Sequence, residues 1–493
     1  MKSRNSCQTR SLLILFSFVL YGSVVMIGEG NTVMRGRYEN VNGFLPGTIN
    51  RDWSTPGNIY YVSPSGNDNN PGSENLPWRT ISKAASALVN GETVYIKTGN
   101  YHERLVPENS GGVGNEIRFL AYPGSTVTLD GTGISIMEEE GLVDLSGKSF
   151  IIVSGIRVVN SNGAGFYADN ASHIGIYQNY TYNTVSSGIG FWNSSFIIVD
   201  GNEVVLACND GSQEDITIAG TSNFEVKNNQ VHTGSPGTNG GEGIDVKDGS
   251  HDGKVYRNRV HNLSRVGLYV DAWDKHTYNI EVFQNLVYEN TAYGIALASE
   301  AGGLLENINV YNNVVYNNTY CGIGIAGWGY DLIHHPMNII KLINNTFYNN
   351  GAGVENWGPG ISVENPEALN IIIRNNIASE NAVSQIRAEP GVSLGNLIVD
   401  HNLIYGDQSE DEILGTDYVV ADPQFINSLG NNYSLMKTSP AIEHGSAMDA
   451  PTFDFAGIYR PQDGDQDGNS QWDIGSYEFI VPSVWVFIPL LIR

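Results

Sequence analysis

Basic residues are scarce in this chain. Lys and Arg together number 26 against 52 Asp and Glu in 493 residues, so the formal net charge is −26. A field of that sign repels nucleic acid and anionic membrane surfaces, and we expect neither to be a partner. A uronate-containing polysaccharide would bind only where local Lys, Arg or a divalent cation reverses the sign.

Cysteine and proline are scarce as well. The sequence has 3 Cys, 18 Pro and 57 Gly, and 41% of its residues are hydrophobic. This composition excludes a disulfide-rich scaffold and a collagen-like chain, and it favours a turn-rich protein with a large core. We expect Cys208 and Cys321 to be two buried thiols, with one disulfide between them as the alternative.

The two ends of the sequence carry apolar runs. Residues 1–30 combine a basic start with an apolar stretch, which is the order of a secretory signal peptide. We therefore expect a secreted or cell-surface protein, with an uncleaved signal as the alternative and a linker over 31–57. The apolar tail at 481–493 is too short to span a bilayer as a helix and predicts a last strand or a sorting tail. A membrane would be contacted only through the signal or this tail.

A short phrase, V-x-x-N-x-V, recurs through the sequence at intervals of 23 to 32 residues. A period of this length predicts stacked coils, in which equivalent residues of neighbouring coils lie about 4.8 Å apart. Inward asparagines in such a column would hydrogen-bond to one another and to the turns. The nine central asparagines are Asn179, Asn202, Asn229, Asn258, Asn285, Asn313, Asn345, Asn376 and Asn402.

Short alternating runs follow a glycine in each coil. They begin at Gly188, Gly243, Gly267, Gly294, Gly322 and Gly353. Alternation over five to seven residues predicts a strand with one buried face. We therefore predict an all-β fold, a monomeric right-handed parallel β-helix over 58–445, with leucine-rich repeats and a propeller as minor alternatives. A helix over about 80–89 would plug its first coil, and 446–480 would form a C-terminal cap.

At this point the sequence resembles a known group, the secreted right-handed parallel β-helix proteins of the pectate-lyase superfamily. The resemblance rests on IYYVSPSGNDNNPGSENLPWRTISKAAS with GETVYIKTGNYHE near the start, on the repeats, and on RPQDGDQDGNSQWDIGSYEF near the end. It covers about residues 58–479. It implies a carbohydrate-active fold that hosts lyases, hydrolases, epimerases and non-catalytic adhesins.

Two lyase patterns of that superfamily match in part. Calcium-dependent pectate lyases carry D-G-F-x-x-K and then D-D-G-x-D; the counterparts here begin at Glu242 and Arg265, and they keep the glycines and Lys247 while replacing three metal aspartates. Lyases of alginate or dermatan-type chains carry E-x-I-x-x-K-S and then an arginine. Lys247 fits this pattern too, but Asp271 stands where the arginine is expected.

The residues two and four positions after each glycine would face solvent and form a groove along the coils. Within three coils the candidate catalytic residues are Asp245, Lys247, Arg265, Tyr269, Asp271 and Glu300. The candidate substrate-binding residues are Trp192, Trp273, Lys275, His276, Trp328 and Trp357, and the candidate calcium ligands are Asp245, Asp248 and Asp271. Such an acidic and aromatic groove favours a polysaccharide as partner.

Three functions fit the groove. The first is β-elimination on an acidic polysaccharide, with Lys247 or Tyr269 as base and calcium to neutralise the uronate. The second is inverting hydrolysis by Asp245, Asp271 and Glu300, because carboxyl groups one coil apart suit that reaction. The third is a non-catalytic adhesion protein, in which Lys247 and Asp271 form only an exposed ion pair.

A D-x-D-x-D-G sequence occurs near the C-terminus, with aspartates at Asp463, Asp465 and Asp467. Alternate oxygen ligands of this kind can wrap one calcium ion, but position 12 of the loop is Ile474, so an EF-hand is not expected. A structural calcium site and a solvated acidic turn both remain open. No zinc site is predicted.

Overall fold

The computed structural model describes residues 57–137, 139–234, 240–330, 333–353 and 358–481. The predicted signal peptide 1–30, nearly all of the linker 31–57 and of the tail 481–493, and Trp357 lie outside these residues. Across the described ranges, no helix has the length and hydropathy needed to cross a lipid bilayer.

The fold is a right-handed parallel β-helix, as predicted. The coils build three parallel sheets of 13, 13 and 10 strands, which we call the first, second and third sheet, and strands of successive coils pair in register. Inward-facing Val, Ile, Leu and Phe of all three sheets form one continuous core along the helix axis. Burial of these side chains drives the stacking, because a single coil cannot cover its own apolar face.

The strands of the first sheet are Ile59–Val62, Thr93–Ile96, Ile117–Ala121, Ser149–Ser154, Ser172–Tyr177, Ser195–Asp200, Ser222–Lys227, His251–Tyr256, Thr277–Phe283, Leu305–Tyr311, Met337–Ile343, Ala368–Arg374 and Leu397–Asp400. Those of the second sheet are Gly99–Tyr101, Val127–Asp130, Ile156–Val159, Tyr180–Tyr182, Glu203–Val205, Gln230–His232, Arg259–His261, Leu286–Tyr288, Val314–Tyr316, Thr346–Tyr348, Ile377–Ser379, Leu403–Tyr405 and Val419–Val420. Those of the third sheet are Gly141–Asp144, Ala164–Asp169, Ile189–Trp192, Ile216–Ala219, Ile244–Lys247, Leu268–Ala272, Tyr293–Ser299, Cys321–Ile325, Ile361–Val363 and Ile386–Ala388.

The predicted asparagine column is present between the first and second sheets. Asn258 is typical: its Oδ1 accepts hydrogen bonds from the backbone N and the Nδ2 of Asn229, both at 3.0 Å, and its Nδ2 donates to the Val226 carbonyl at 2.9 Å. The same pattern connects the coils from Asn179 to Asn402. These bonds satisfy buried turn amides and carbonyls that water cannot reach.

A second ladder, which the sequence analysis missed, follows the second sheet. Asn290, Asn318, Asn350 and Asn381 stack in the same way, and the side chain of Gln385 accepts the last bonds. It follows the first ladder by five residues in each coil. The sequence does contain a signal for the second ladder, in the Asn-Asn doublets and in the phrase V-Y-x-N. It was missed because the first repeating asparagine alone defines the period of the coils.

The N-terminal end is covered by the α-helix Ile81–Ala87, within the predicted range 80–89. Thr80 caps it, because its Oγ1 accepts a hydrogen bond from the Lys83 backbone N at 3.0 Å. Ile81, Ala84 and Ala85 are buried against the first coil. The structure also has 3-10 helices at Leu394–Asn396 and Ser428–Gly430 and an antiparallel hairpin of Phe425–Asn427 and Asn432–Leu435.

The segment predicted as a C-terminal cap, 446–480, lies along the flank of the β-helix. Asn344 Nδ2 donates to the carbonyls of Asp473 and Gly475, and Asn312 Nδ2 donates to that of Phe453. Ile474 and Tyr477 are buried in a cluster with side chains of the second sheet. We call this segment the flank segment. It covers the outward face of several coils, which would otherwise expose aromatic side chains to water.

Two details of the predicted coils are settled by the pairing and the burial. The sequence predicts that the run after Gly353 is a strand of the groove. In the structure the third-sheet strand of that coil is Ile361–Val363, and its Ser362 pairs with Gly324. That prediction is wrong, since an insertion separates Asn345 from the strand. Cys208 and Cys321 are both buried and form no disulfide with each other, which confirms the expectation of two thiols.

Candidate active site

The candidate groove lies on the outward face of the third sheet, where the strand register matches the prediction. Asp245 pairs with Thr217 on one side and with Tyr269 on the other, and Tyr269 pairs with Ala296. Asp271 stands two residues beyond Tyr269 and therefore points to the same face. The predicted outward columns are thus brought together by parallel, in-register pairing.

The prediction that these side chains face open solvent is wrong. Asp245 is 2% exposed, Asp271 4% and Tyr269 7%. Turns that precede and follow the third-sheet strands close over them and leave a cavity of about 760 Å³. Its lining is contributed by Ser212, Glu214, Glu242, Asp245, Lys247, Ser264, Arg265, Val266, Tyr269, Asp271, Trp273, Thr291, Ala292, Tyr293, Glu300, Tyr320 and Trp328.

Lys247 is held in the cavity by carboxylates. Its Nζ lies 2.6 Å from Glu214 Oε1 and 3.9 Å from Asp245 Oδ2. The expected exposed pair of Lys247 with Asp271 is replaced by this buried one. Burial alone would lower the pKa of Lys247, but the carboxylates of Glu214 and Asp245 outweigh it and raise the pKa above its ordinary value. Lys247 is therefore a cation that holds its proton.

Asp245 and Asp271 form a coupled pair of buried carboxyl groups. Burial, followed by the carboxylates of Asp271 and Glu214, raises the pKa of Asp245 well above its ordinary value. Burial also raises the pKa of Asp271, and it outweighs the opposing effect of Lys247. The Oδ1 atom of each aspartate is buried without a hydrogen bond from any described residue. Such a pair retains a proton at pH values where an exposed aspartate has lost it.

Two further acidic residues complete the polar part of the cavity. The Tyr269 hydroxyl donates a hydrogen bond to Glu300 Oε1. Glu242 forms an ion pair with Arg265, with 2.9 Å between Glu242 Oε1 and Arg265 Nε. Burial, followed by the Glu214 carboxylate, raises the pKa of Glu242 to about 7. The cavity therefore holds several carboxyl groups whose protonation differs from that of surface acids.

Aromatic rings form the remaining walls. Trp328 meets Tyr293 edge to face, with ring centroids 5.0 Å apart, and Tyr269 at 5.8 Å. Gly324 leaves room for this arrangement, since an added Cβ would come within 2.6 Å of the Tyr293 ring. At the rim, Trp273 contacts Tyr330 with centroids 5.2 Å apart.

Other predicted residues lie outside the cavity. Trp192 stacks on Tyr167 of the neighbouring coil, with ring centroids 4.8 Å apart. His276 pairs with Glu306, with 3.2 Å between Nε2 and Oε2, on the side of the first sheet. Lys275 and Asp248 do not contribute to the described lining. Four predicted site residues therefore do not line this cavity: Trp192, Lys275, His276 and Asp248.

Sequence reasoning missed several residues that line the cavity. Glu214 precedes the strand Ile216–Ala219, whose coil lacks the usual glycine, and that irregularity was its only signal. Glu242 had been noted only as a counterpart of a metal aspartate. Tyr293 is the first residue of the strand Tyr293–Ser299, and Tyr320 lies in the turn before the strand Cys321–Ile325. The repeat does not indicate which turns fold over the groove.

A possible metal centre lies elsewhere, beside the flank segment. Carboxylate oxygens of Glu443, Asp463, Asp465 and Asp467 lie within 4.8 Å of one another, and Glu443 is buried. The D-x-D-x-D-G motif predicted Asp463, Asp465 and Asp467. Glu443 lies outside the motif and is brought beside it by the fold. Among the described residues, Asp245, Asp248 and Asp271 do not form such a group. Oxygen donors at this spacing suit a hard divalent cation such as Ca²⁺.

Comparison with known proteins identifies the family. The family model of the Pel9A-like right-handed β-helix region matches residues 60–327. The chain belongs to this family. Residues 60–327 include every residue of the cavity lining given above except Trp328.

Individual relatives are more distant. The uncharacterized protein YwoF of Bacillus subtilis strain 168 is 27% identical over an alignment of 445 residues that covers 78% of this chain and 92% of YwoF. The crystal structure of pectate lyase Pel9A superposes with a TM-score of 0.51 at 15% identity, over 86% of this chain and 96% of that one. XylC in complex with xylose gives a TM-score of 0.52 at 13% identity, over 85% and 98%. At these identities the two structures establish a shared fold.

Proposed function

We propose that this protein is a polysaccharide hydrolase and that Asp245 and Asp271 are its acid and base. The observation that carries the proposal is the coupled, buried pair on adjacent coils, each member with an Oδ1 that accepts no hydrogen bond from the described residues. Glycoside hydrolysis needs one carboxyl group that keeps its proton and one that is ionised. Asp245 and Asp271 both keep their protons to a higher pH than a surface aspartate does, as the acid requires, and the Lys247 ammonium favours the ionised form that the base requires.

The backbone spacing of the pair is compatible with an inverting reaction. One coil of about 4.8 Å and two residues of about 3.3 Å separate the backbones by roughly 8 Å. Inverting enzymes place their carboxyl groups about 6.5 to 9.5 Å apart, because a water must fit between the base and the sugar. The protonated member gives its proton to the leaving oxygen, and the ionised member takes one from that water.

Neighbouring residues hold this pair in place. Lys247 is 3.9 Å from Asp245 and favours the ionised carboxylate, while Glu214 fixes the ammonium group at 2.6 Å. Glu214 is itself anchored, since its Oε2 accepts a hydrogen bond from Thr217 at 2.8 Å. Tyr269 and Glu300 border the site through their mutual hydrogen bond. We assign Lys247, Glu214, Tyr269 and Glu300 as positioning residues.

β-Elimination on an acidic polysaccharide is the second candidate. It is favoured by two cations, Lys247 and Arg265, that reach the same cavity, and by membership in a family named after a pectate lyase. In this reaction Lys247 or Tyr269 would remove a proton, and calcium would neutralise the uronate. The raised pKa of Lys247 and the replaced metal aspartates disfavour it. An adhesion role would leave the buried acid pair without a purpose.

One experiment separates the three. The full chain is incubated with uncharged and acidic polysaccharides, with EDTA or with calcium, while reducing ends and the ultraviolet absorbance of unsaturated uronates are followed. Hydrolysis predicts new reducing ends without absorbance. Absorbance would support elimination instead, and the absence of both signals across the panel would contradict an enzymatic role.

We further propose that the group of Glu443, Asp463, Asp465 and Asp467 binds a structural calcium ion. The proposal is supported by the D-x-D-x-D-G motif and by the mutual distances of at most 4.8 Å. A ligand that binds only the folded state stabilises that state, by about 2.7 kcal/mol when the free ligand concentration is a hundred times Kd. Calcium should therefore raise the melting temperature and EDTA should lower it.

The variant Asp465→Asn should lose this calcium response, whereas Asp252→Asn on the first sheet should retain it. A melting temperature of the unmodified protein that calcium does not change would contradict the site.

The place of action is also a proposal. The charge, the apolar N-terminal run and the groove together favour a secreted or cell-surface monomer that acts on polysaccharide and binds neither nucleic acid nor membrane. Fractionation of expressing cells would test the export, and light scattering would test the monomer.

A further inference from the structure

The cations of the cavity are already neutralised by residues of the protein. Lys247 Nζ pairs with Glu214 at 2.6 Å, and Arg265 Nε pairs with Glu242 at 2.9 Å. A uronate carboxylate would have to displace one of these partners to reach a cation. The Lys247–Glu214 pair is largely buried, with 16% and 5% of the side chains exposed, so breaking it is costly because it leaves a charge without its counter-ion. The Arg265–Glu242 pair is nearer the surface, since the Arg265 side chain is 37% exposed, and breaking it costs less.

The charge balance of the cavity points the same way. Its described lining contains five carboxyl groups, those of Glu214, Glu242, Asp245, Asp271 and Glu300, and two cations. With one proton on the Asp245–Asp271 pair, and with Glu300 ionised and Glu242 ionised above its pKa of about 7, four carboxylates still face two cations. The potential inside the cavity therefore opposes entry of an anionic sugar and leaves an uncharged one unaffected.

Aromatic rings at the cavity mouth offer binding surface of the required kind. Trp273 is 36% exposed, Tyr320 42% and Tyr330 77%, and Trp273 contacts Tyr330 at the rim. Large exposed aromatics on one edge of a cavity are characteristic of a ligand site. The apolar face of a pyranose ring can lie against such rings, with its hydroxyl groups directed towards the carboxylates.

We propose that the groove binds an uncharged polysaccharide, with a sugar ring stacked on Trp273 beside Tyr330. This inference deepens the proposed function, since it names the substrate class of the same cavity. It makes Trp273 a residue that determines affinity. It also assigns Lys247 and Arg265 to the internal charge pairs of the protein, which excludes them as receptors for a uronate.

Affinity electrophoresis of the full chain tests the proposal separately from catalysis. Native gels contain mannan, β-glucan or galactan as uncharged polymers, and polygalacturonate or alginate as acidic ones, each with EDTA or with calcium. Retardation by at least one uncharged polymer and by neither acidic polymer is the expected result. Retardation by an acidic polymer alone, in either buffer, or by no polymer, would overturn the proposal.

Two tryptophan variants define the binding surface. Trp273→Ala should weaken the retardation about tenfold or more, because the stacked ring is lost. Trp192→Ala removes the same side chain outside the cavity and should bind like the unmodified protein. Equal binding by Trp273→Ala would remove Trp273 from the site. Binding of an uncharged polymer without hydrolysis would support this inference while contradicting the proposed reaction.

Discussion

At the scale of single residues, the cavity is governed by a few buried ionisable groups. Burial and the Asp271 carboxylate raise the pKa of Asp245, burial and the Glu300 carboxylate raise the pKa of Asp271, and Lys247 opposes both effects. The titration therefore belongs to the pair. Changing one member alters the charge state of the other as well as removing its own carboxyl group.

Substitution of Asp271 tests its role as an acid or base. Asp271→Asn should lower the hydrolysis rate by about 10² to 10⁴-fold, the usual contribution of a positioned acid or base. Rates on the polysaccharide identified by the panel, with circular dichroism as a check of folding, provide the measurement.

Asp252→Asn is the matched control, because Asp252 has a φ of 55° that asparagine also adopts and lies on the first sheet. A folded Asp271→Asn with an unchanged rate would remove Asp271 from the mechanism.

Glu364 makes stability depend on pH. Burial raises its pKa from 4.5 to about 7, and its carboxylate accepts a hydrogen bond from Tyr293 at 3.2 Å. Because the folded state binds this proton more tightly than the unfolded state, stability is highest below pH 4.5 and falls as the pH rises towards 7. The loss attributable to Glu364 is about 3 kcal/mol, from about 1.36 kcal/mol for each pH unit.

Urea unfolding at several pH values, compared between the unmodified protein and Glu364→Gln, isolates this contribution. The variant should lose less stability between pH 4.5 and 7, whereas the exposed Glu410→Gln should follow the unmodified protein. Parallel curves for all three proteins would show that Glu364 ionises normally.

The sequence predicted which residues share the groove but not their partners. Asp245, Lys247, Tyr269 and Asp271 follow from the strand period, since parallel pairing converts a repeat into a column. Glu214 and Tyr320 lie in turns of irregular length, and no period determines how such turns fold. Their closure over the groove also explains why residues expected to be exposed are buried.

At the scale of elements, the asparagine ladder replaces the water that would otherwise hydrate the turns. Each member joins three coils. It accepts from the asparagine of the preceding coil and donates to a backbone carbonyl of that coil, and its own N and Nδ2 donate to the asparagine Oδ1 of the following coil. Asn313 is fully buried, accepts from the backbone N and the Nδ2 of Asn285, and donates to Val282 O at 2.9 Å.

Removing one rung of the ladder should therefore be strongly destabilising. Asn313→Ala removes the acceptor of the Asn285 backbone N and Nδ2 and the donor to the carbonyls of Val282 and Tyr311 and to Asn345 Oδ1. A buried polar group left without a partner costs about 1 to 3 kcal/mol before relaxation. We expect a loss of about 3 kcal/mol or more in the free energy of unfolding. Asn309→Ala, on the outer face of the first sheet, should change it by less than about 1 kcal/mol. Similar losses for the two variants in urea titrations would contradict the assigned role.

The ladder was predictable because one side chain repeats at one position. The third-sheet strand of the coil after Asn345 could not be predicted, because both Gly353 and Gly360 precede an alternating run. Only pairing with the neighbouring coil shows which of the two runs is the strand. The strand after Gly360 aligns Ser362 with Gly324. An insertion between the two glycines conceals this register in the sequence.

At the scale of the whole molecule, the flank segment ties the end of the chain to the middle of the β-helix. Arg460 is central to it: its Nη1 lies 2.7 Å from Glu478 Oε2, with both side chains fully buried, and its Nη2 donates to the Gly475 carbonyl at 2.8 Å. The flank segment thus has a polar core of its own. The sequence predicted its extent from composition but not its position beside the coils.

Loss of this buried pair should detach the flank segment. Arg460→Met is expected to destabilise the protein by about 3 to 5 kcal/mol, because Glu478 is left as an unpaired buried charge. Lys254→Met, which removes one member of an exposed pair with Glu281, should cost about 1 kcal/mol or less. Urea unfolding and limited proteolysis within 446–480 report the two effects. Equal stability of both variants would contradict the central place of Arg460.

The measurement that bears most directly on the central claim is the fate of water in the reaction. Polysaccharide is cleaved by the full chain in heavy-oxygen water, and the products are analysed by mass spectrometry. Hydrolysis by Asp245 and Asp271 predicts one heavy oxygen at each new reducing end and a mass increase of one water for each bond cleaved. Products that contain no heavy oxygen and an unsaturated terminal sugar would contradict the assignment of the acid pair.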